Sequence, residues 1–429
     1  MHSNSVTLTD DYSRDKVPEE YTYSGLHIAL VIVGGTIGIP MFLMAAQIGS
    51  SLGLARAVPA FFAGSLILGT MGALTSYAGA RTRLSTYILT EFAFGRQGAK
   101  IVNLVIALSL VGWYGVIANV FAQAADMVMR DSLSVHLPIW SYAVVGSLLM
   151  VAVTLSGFDG IDKLALLLVP AMLFFLAYAA WITWDGGVGS AQTGGDMSFS
   201  QAVSAVIGCY IAGVVIQPDY SRFARNRRHA VYAAFIALGV SFPVLQMLAA
   251  VPSVATGEQD LIKIMVMIGI GLPAFLLLLL SSWSSNVLCL YSSGLSFSTV
   301  FTRTHLKTLL ILIGVIGTAL ALVHAQSYLI SFLMILGIGI PPIAAIYVMD
   351  VLVIRKGCCE PETLSQEPAI GMTAFFSWGI GLAVGVAASN DIATVTGIAA
   401  LDTVVSASVI YLVFNANRIT SSWKTDVVK

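Results

Sequence analysis

Long apolar stretches recur along almost the whole chain and are separated by short polar connections. A membrane-spanning helix needs about 20 mostly apolar residues, and we count twelve stretches of roughly that length. The pattern therefore predicts an all-α integral membrane protein with 12 transmembrane helices. The predicted spans are 25–50, 56–79, 101–128, 138–156, 163–184, 199–218, 229–251, 268–296, 308–323, 327–354, 370–388 and 393–415.

Composition supports this class. The chain is 57% hydrophobic and only 10% charged, whereas a soluble domain carries about 25% charged residues. The net charge of −1 argues against a nucleic-acid partner. The four Cys residues show neither a disulfide framework nor the spacing of a metal site, and no cofactor is predicted.

The basic residues predict the orientation. If the N-terminus is cytoplasmic, only Arg56, Arg130 and Lys263 of the 21 Lys and Arg fall outside the cell. This bias follows the positive-inside rule and predicts a multi-pass protein of the inner (plasma) membrane with both termini in the cytoplasm. The predicted organisation is a tail over 1–24, a ten-helix core over 25–354, two further helices over 370–415 and a tail over 416–429.

Two of the apolar stretches contain helix-breaking residues at their middle. Gly34–Pro40 interrupts the first span, and Gly208–Gly213 interrupts the sixth. Irregular backbone survives in lipid only where it lines a cavity or binds something. Breaks at matching places in two halves predict inverted repeats, here about 25–184 and 199–354, around a transport site.

A third irregularity, Gly337–Pro342, predicts a bend in the tenth span. Both a moving gate and a packing kink agree with this pattern.

No catalytic motif is present in the spans, so an enzyme is not expected. Ionisable residues within a membrane are candidates for function. We expect Asp219 to form an interfacial ion pair with Arg222, Asp402 to make a contact within or between bundles, and Asp350 to be interfacial.

Three serines of the eighth span share one helix face. Ser281, Ser284 and Ser285 stand at i, i+3 and i+4, and could contribute one carbonyl and two hydroxyls. Two carbonyls freed by the break in the first span would complete five oxygen ligands, which suit a hard cation. Plain helix packing is the alternative explanation.

Aromatic residues lie beside the breaks. Trp113 is in the middle of the third span, and Tyr210 is within the second break. Their flat faces, flanked by small residues, suit a planar heteroaromatic ligand.

These stretches resemble the nucleobase–cation symporter family, which includes the cytosine and hydantoin permeases. The resemblance covers nearly the whole chain. It is carried by Gly34–Pro40, AGARTRLSTYILTEFAFG over 78–95, VGWYGV over 111–116, GCYIAGVVIQPDYSRFARN over 208–226 and WSSNVLCLYSSGL over 283–295.

The resemblance implies a LeuT-type fold of five plus five inverted spans with broken helices 1 and 6, alternating access and sodium-driven uptake. It implies that Trp113 and Tyr210 stack on the substrate. The family's sodium ligands fall on the carbonyls of Gly34, Ile37 and Ser281 and the hydroxyls of Ser284 and Ser285.

The residues that select the substrate depart from the family pattern. Gly38 stands where hydantoin permease has Gln, and Leu110, Cys209 and Ala212 stand where cytosine permease has Gln, Ser and Ser. A site without those groups should be tuned to another compound. The candidate substrate residues are Trp113, Tyr210, Gly38, Cys209, Asn286, Ser109, Thr36 and Gln217.

The expected function is import of a nucleobase or related small nitrogen heterocycle by sodium symport. Two alternatives agree with the same sequence. One is a proton-coupled relative that uses Asp219, and the other is a membrane sensor or channel without active transport.

Overall fold

The computed structural model describes residues 12, 14–184, 197–258, 263–264, 267, 269, 271–323, 335–390 and 392–418. Within these ranges the regular structure is helical. The first half contains α1 (Gly25–Thr36), α2 (Ile39–Leu52), α3 (Leu54–Thr82), α4 (Thr86–Phe94), α5 (Gly98–Leu133), α6 (Ile139–Thr154) and α7 (Gly157–Thr183). The second half contains α8 (Phe199–Val215), α9 (Pro218–Ser221), α10 (Arg227–Phe235), α11 (Phe242–Thr256), α12 (Gly271–Val300), α13 (Leu306–Ala321), α14 (Pro341–Met349), α15 (Met372–Ser389) and α16 (Ala399–Phe414).

Each of the twelve predicted spans contains a helix, which confirms the all-α membrane class. Six helices are long and apolar enough to cross a membrane, and the bent pair of α1 and α2 makes a seventh. Four shorter apolar helices, α6, α8, α13 and α16, have 16 or 17 residues. The count of twelve crossings stays a prediction. Residues 327–334 of the predicted tenth span, half of the predicted N-terminal tail (1–11 and 13) and most of the predicted C-terminal tail (419–429) lie outside the described residues.

The predicted break in the first span is confirmed. Helix α1 ends at Thr36, α2 begins at Ile39, and the two axes differ by 65°. Gly38 between them is fully extended, with φ −165° and ψ 162°. Pro40 stands in the first turn of α2, where its missing N–H leaves no helical bond unmade.

The break in the sixth span lies further along than predicted. Helix α8 runs unbroken through Gly208–Gly213 and ends at Val215, and a turn at 216–217 leads to the short helix α9. The reason is energetic: an internal Gly costs a helix only about 1 kcal/mol, but Pro costs about 3 kcal/mol. Pro218, rather than the glycines, therefore fixes the position of the interruption.

The tenth span bends where predicted. Its helical residues 335–339 are followed by a bend at Ile340, and α14 then begins with Pro341 and Pro342. The carbonyl of Gly339 accepts a hydrogen bond of 3.1 Å from Trp378 Nε1 of α15, while Ile343 N–H, four residues further on, donates to Ile340 O. The bend is thus packed against a helix outside the predicted repeats.

The packing places both interrupted segments at the centre. Helix α1 packs on α7, α10 and α12, while α2 packs on α11, α8 and α5. Helix α12 lies along α5, and α13 packs against both of them.

The segment before α1 lies across the predicted cytoplasmic side. The backbone N–H of Tyr23 donates to Phe223 O at 2.7 Å, and Arg225 N donates to Tyr23 O at 2.9 Å. Arg14 also forms an ion pair of 3.2 Å with Glu91 of α4. These contacts connect the start of α1 to the chain after α9.

Candidate substrate and ion site

A cavity of about 70 Å³ lies where the two interrupted segments meet, which is room for a few waters or one small ring. Helices α5 and α12 close its other sides. Its lining comes from the first break (Gly35, Thr36, Gly38, Pro40, Met41), from α5 (Leu110, Trp113, Ile117), from α8 and the turn to α9 (Cys209, Tyr210, Ala212, Gly213, Ile216, Tyr220) and from α12 (Ser285, Leu288, Cys289).

Five of the eight predicted substrate residues line this cavity: Thr36, Gly38, Trp113, Cys209 and Tyr210. The indole of Trp113 is contributed by α5 and the phenol of Tyr210 by α8. The structure therefore brings the predicted stacking pair to one cavity, although it holds no ligand to stack.

The other three predicted residues do not line it. Ser109 Oγ donates to its own helix at Ile106 O, 2.7 Å away. Asn286 Nδ2 donates to Tyr114 O at 3.2 Å. Gln217 is fully buried, and neither of its amide atoms has a hydrogen-bond partner among the described residues. Ser109, Asn286 and Gln217 lie outside the described lining of this cavity, and their part in substrate binding stays a prediction.

Helix periodicity would have found several of the remaining lining residues. Leu110 and Ile117 lie one turn before and one turn after Trp113, and so share its face. In the same way Leu288 and Cys289 follow Ser285 by three and four residues. The helical spacing indicates these residues, because positions three or four apart lie on the helix face that lines the cavity.

Two glycines allow Tyr210 its position. A Cβ at Gly35 would lie 2.7 Å from Leu288 Cδ1 and 3.0 Å from the Tyr210 hydroxyl. A Cβ at Gly213 would lie 2.5 Å from the Tyr210 ring. Real Cβ atoms do not approach so closely, so both positions require Gly for the observed packing.

Ser285 faces the carbonyls released by the first break. Its Oγ lies 3.2 Å from Ile37 O and 3.4 Å from both Gly34 O and Gly35 O. These are among the last carbonyls of α1, which lack partners within the helix. One hydroxyl carries a single proton, so it cannot donate to all three oxygens at once.

The predicted ion ligands are close together. Besides Ser285, a Cβ at Gly34 would lie 3.3 Å from Ser284 Oγ, so both hydroxyls lie at the break. Ser281 is one turn earlier on α12, and 2% of its surface is exposed, as for Ser284. Several neutral oxygens that converge on a buried point suit a hard monovalent cation.

Below the cavity, α9 is held against α4 and α12. Asp219 Oδ1 accepts a hydrogen bond of 2.9 Å from the backbone N–H of Thr86, at the start of α4. The Tyr87 hydroxyl donates to Ser292 O at 2.6 Å, and the Tyr220 hydroxyl lies 3.3 Å from Ser292 Oγ. These bonds join α4, α9 and α12 next to Tyr220, which lines the cavity.

Arg222 interacts beyond its expected partner Asp219. Its Nη1 donates to Tyr12 O at 2.8 Å and its Nη2 to the Tyr291 hydroxyl at 3.2 Å. The Asp219 carboxylate accepts a hydrogen bond at the N-terminus of α4, because the first N–H groups of a helix have no partner within the helix.

The two other acids have local structural roles. Asp350 forms an ion pair of 2.6 Å with Arg355 and accepts a hydrogen bond from the Tyr411 hydroxyl at 3.0 Å. Asp402 is in the first turn of α16, not well inside the span, and accepts hydrogen bonds from the backbone of Val395 and Thr396. It therefore fixes the turn before α16.

An all-helical membrane protein with two interrupted helices around a central cavity belongs to the class of secondary transporters. Residues 16–410 match the family described as permease for cytosine/purines, uracil, thiamine, allantoin, and the chain belongs to this family. It is a transporter rather than an enzyme.

Similar proteins cover the whole chain. Cytosine permease of Escherichia coli O157:H7 is 28% identical over 429 residues, covering 98% of this chain and 99% of the relative. Among solved structures, Mhp1, a nucleobase-cation-symport-1 family transporter in a closed conformation with bromovinylhydantoin bound, gives a TM-score of 0.82 at 18% identity, covering 98% of this chain and 96% of Mhp1. A Na⁺-coupled sialic acid symporter in an outward-open state gives 0.69 at 14% identity, covering 96% and 92%. The expected LeuT-like fold is thus confirmed.

Proposed function

We propose that this protein imports a nucleobase or a related small nitrogen heterocycle across the inner membrane together with sodium. The substrate would lie between Trp113 and Tyr210, and sodium would bind the carbonyls of Gly34, Ile37 and Ser281 and the hydroxyls of Ser284 and Ser285. The names of the family and of its cytosine-transporting relative support the substrate class.

One observation carries the coupling: Ser285 belongs to both sites. It lines the cavity, and its hydroxyl faces the carbonyls at the end of α1. A cation there would fix the backbone around Thr36 and Gly38, which also line the cavity. Ion and substrate would then favour the same conformation, and each would raise the affinity for the other.

Transport follows from alternating access around this fixed site. In this proposal the contacts among α4, α9 and α12 form the gate on the predicted cytoplasmic side. Uptake needs these contacts to open after the substrate and the ion have bound. The positive-inside bias supports cytoplasmic termini and hence this direction.

The test is uptake in proteoliposomes by the variant with both Ser284→Ala and Ser285→Ala, with sodium or choline outside. Ser282→Ala is the matched control, because Ser282 is also buried on α12 but its hydroxyl has no partner among the described residues. We expect the double variant to lose sodium stimulation while the control keeps it. Sodium stimulation retained by the double variant would refute the ion site.

Proton coupling is the second candidate, and one observation favours it. Asp219 is completely buried, and its Oδ2 has no hydrogen-bond partner among the described residues. A buried carboxylate of this kind can take up a proton. Uptake that follows an inward pH gradient in choline, and that Asp219→Asn removes, would favour this candidate over sodium.

A further inference from the structure

The cavity contains no side chain that is suited to read the polar edge of a base. Among its described lining residues there is no Asn, Gln, Asp, Glu, Lys, Arg or His. Planar bases are usually distinguished by amide or charged side chains that pair with their N–H and carbonyl groups. This site must therefore recognise its ligand in another way.

The hydroxyls of the lining are already engaged. Thr36 Oγ1 donates to Val33 O at 2.7 Å, and Tyr220 OH pairs with Ser292 Oγ. Ser285 faces the carbonyls of the break, and Tyr210 OH lies 3.5 Å from Ile32 O. The polar surface that remains includes the backbone of Gly35, Thr36 and Gly38, which lines the cavity beside the Gly34 and Ile37 carbonyls assigned to the ion. Carbonyls at a helix end accept hydrogen bonds from N–H donors.

The part of the lining contributed by α5 is apolar. Leu110 and Ile117 flank Trp113 on this helix, and Met41 and Leu288 add further apolar side chains to the lining. A carbonyl or amino group placed against such a wall would lose its hydrogen bond to water without replacement. An alkyl group placed there would be transferred from water into a matching apolar environment.

We infer that the preferred substrate is a planar, single-ring nitrogen heterocycle with N–H groups on one edge and an alkyl substituent on another. The N–H edge faces the carbonyls at the end of α1, and the alkyl group faces Leu110 and its apolar neighbours. A 5-methylated pyrimidine has this chemistry, and cytosine and uracil lack the alkyl group. The inference rests on the proposed function of the same site.

Matched pairs of ligands test it. The full-length protein, purified in sodium, is titrated with uracil, thymine, cytosine and 5-methylcytosine, and apparent affinity is taken from thermal stabilisation. Burial of one methyl group is worth about 0.8 kcal/mol, so each methylated base should bind about fourfold more tightly than its partner. An unmethylated base that binds as tightly as its methylated partner, or more tightly, would overturn the inference.

Two variants locate the effect. Leu110→Gln places an amide on the apolar wall and should abolish or reverse the preference for the methylated base. Leu110→Met conserves volume and apolar character and should retain it. A methyl preference that survives in Leu110→Gln would overturn the assignment of this wall.

The outcomes separate the two proposals. If unmethylated bases bind and are transported without a methyl preference, the inference fails and the proposed function stands. If no nitrogen heterocycle stabilises the protein, the proposed function fails and the inference falls with it.

Discussion

Asp219 Oδ1 accepts a hydrogen bond of 2.9 Å from the backbone N–H of Thr86, although 133 residues separate them in the chain. The carboxylate thereby lies at the N-terminus of α4, where unpaired N–H groups and the helix dipole favour a negative charge. One buried acid thus holds the segment after the second break against the predicted cytoplasmic end of the molecule.

Asp219→Asn should loosen this closure. Asn can still accept the hydrogen bond from Thr86 but carries no charge, and a bond to a charged group is worth about 1 kcal/mol more than a neutral one, so the closed form should lose roughly fivefold in population relative to the open form. The cavity thiols of Cys209 and Cys289 report it. In a background with Cys358 and Cys359 changed to Ser, a membrane-impermeant maleimide should label inside-out vesicles faster after this substitution.

The control for that experiment is Asp126→Asn. Asp126 forms an ion pair of 2.8 Å with Arg130 near the C-terminal end of α5. It should leave labelling from the cytoplasmic side unchanged, and equal rates in Asp219→Asn and wild type would contradict the role of Asp219.

Gly35→Ala should strongly reduce uptake. The new Cβ would lie 2.7 Å from Leu288 Cδ1 and 3.0 Å from the Tyr210 hydroxyl. Overpacking of this kind costs about 1–3 kcal/mol, so we expect a loss of transport rate of about fivefold or more with the protein still inserted. Initial uptake rates at matched expression provide the measurement.

Gly379→Ala on α15 is the matched control, because its Cβ would meet nothing within 4 Å. Addition of Leu288→Ala to Gly35→Ala removes the closest clash and should restore part of the activity. The explanation by steric contact is wrong if Gly35→Ala transports normally.

Glu91 should make stability depend on pH. It lies on α4, outside the membrane-spanning segments, and burial raises its pKa while Arg14 offsets only part of that effect. The folded protein therefore binds this proton more tightly than the unfolded chain does. Its contribution to stability is present at low pH and is lost as the pH rises from the ordinary Glu range through the raised pKa.

Glu91→Gln should accordingly flatten the dependence of melting temperature on pH from the ordinary Glu range upward. Glu19→Gln, whose carboxylate is 93% exposed, is the control and should follow the wild-type curve. An identical slope in Glu91→Gln and wild type would show that Glu91 does not titrate in this range.

Trp378→Phe should destabilise the bend of the tenth span. It removes the donor to the partly buried Gly339 O, and a lost hydrogen bond of this kind costs about 1 kcal/mol. We expect a melting temperature lower by a few degrees. Trp140→Phe should have little effect, because Trp140 is 56% exposed on α6. Equal melting temperatures for Trp378→Phe and Trp140→Phe would contradict the bond's contribution.

Apolar length and helix breakers predicted most of the architecture. The break at Thr36–Ile39 follows from local backbone chemistry, because Gly and Pro act where they stand. The second break was predicted at Gly208–Gly213 but lies at 216–217, before Pro218. The reason is that a helix tolerates Gly far better than Pro.

The sequence predicted those site residues whose direction is set by the face of a regular helix. Trp113 and Ser285 stand on regular helices, so their neighbours follow from the spacing. Gln217 and Asn286 were chosen for polarity alone. Polarity does not give the direction of a side chain, least of all at 216–217, where the helix is interrupted.

The bonds between Tyr23 and the backbone of Phe223 and Arg225 join the inner ends of both interrupted segments. Any outward swing of one end must carry the other with it, since separating them would break paired backbone groups. The opening on the predicted cytoplasmic side would therefore widen by one rotation that moves the two interrupted segments together. The width of this opening would be set by the angle of that rotation, and not by two independent movements.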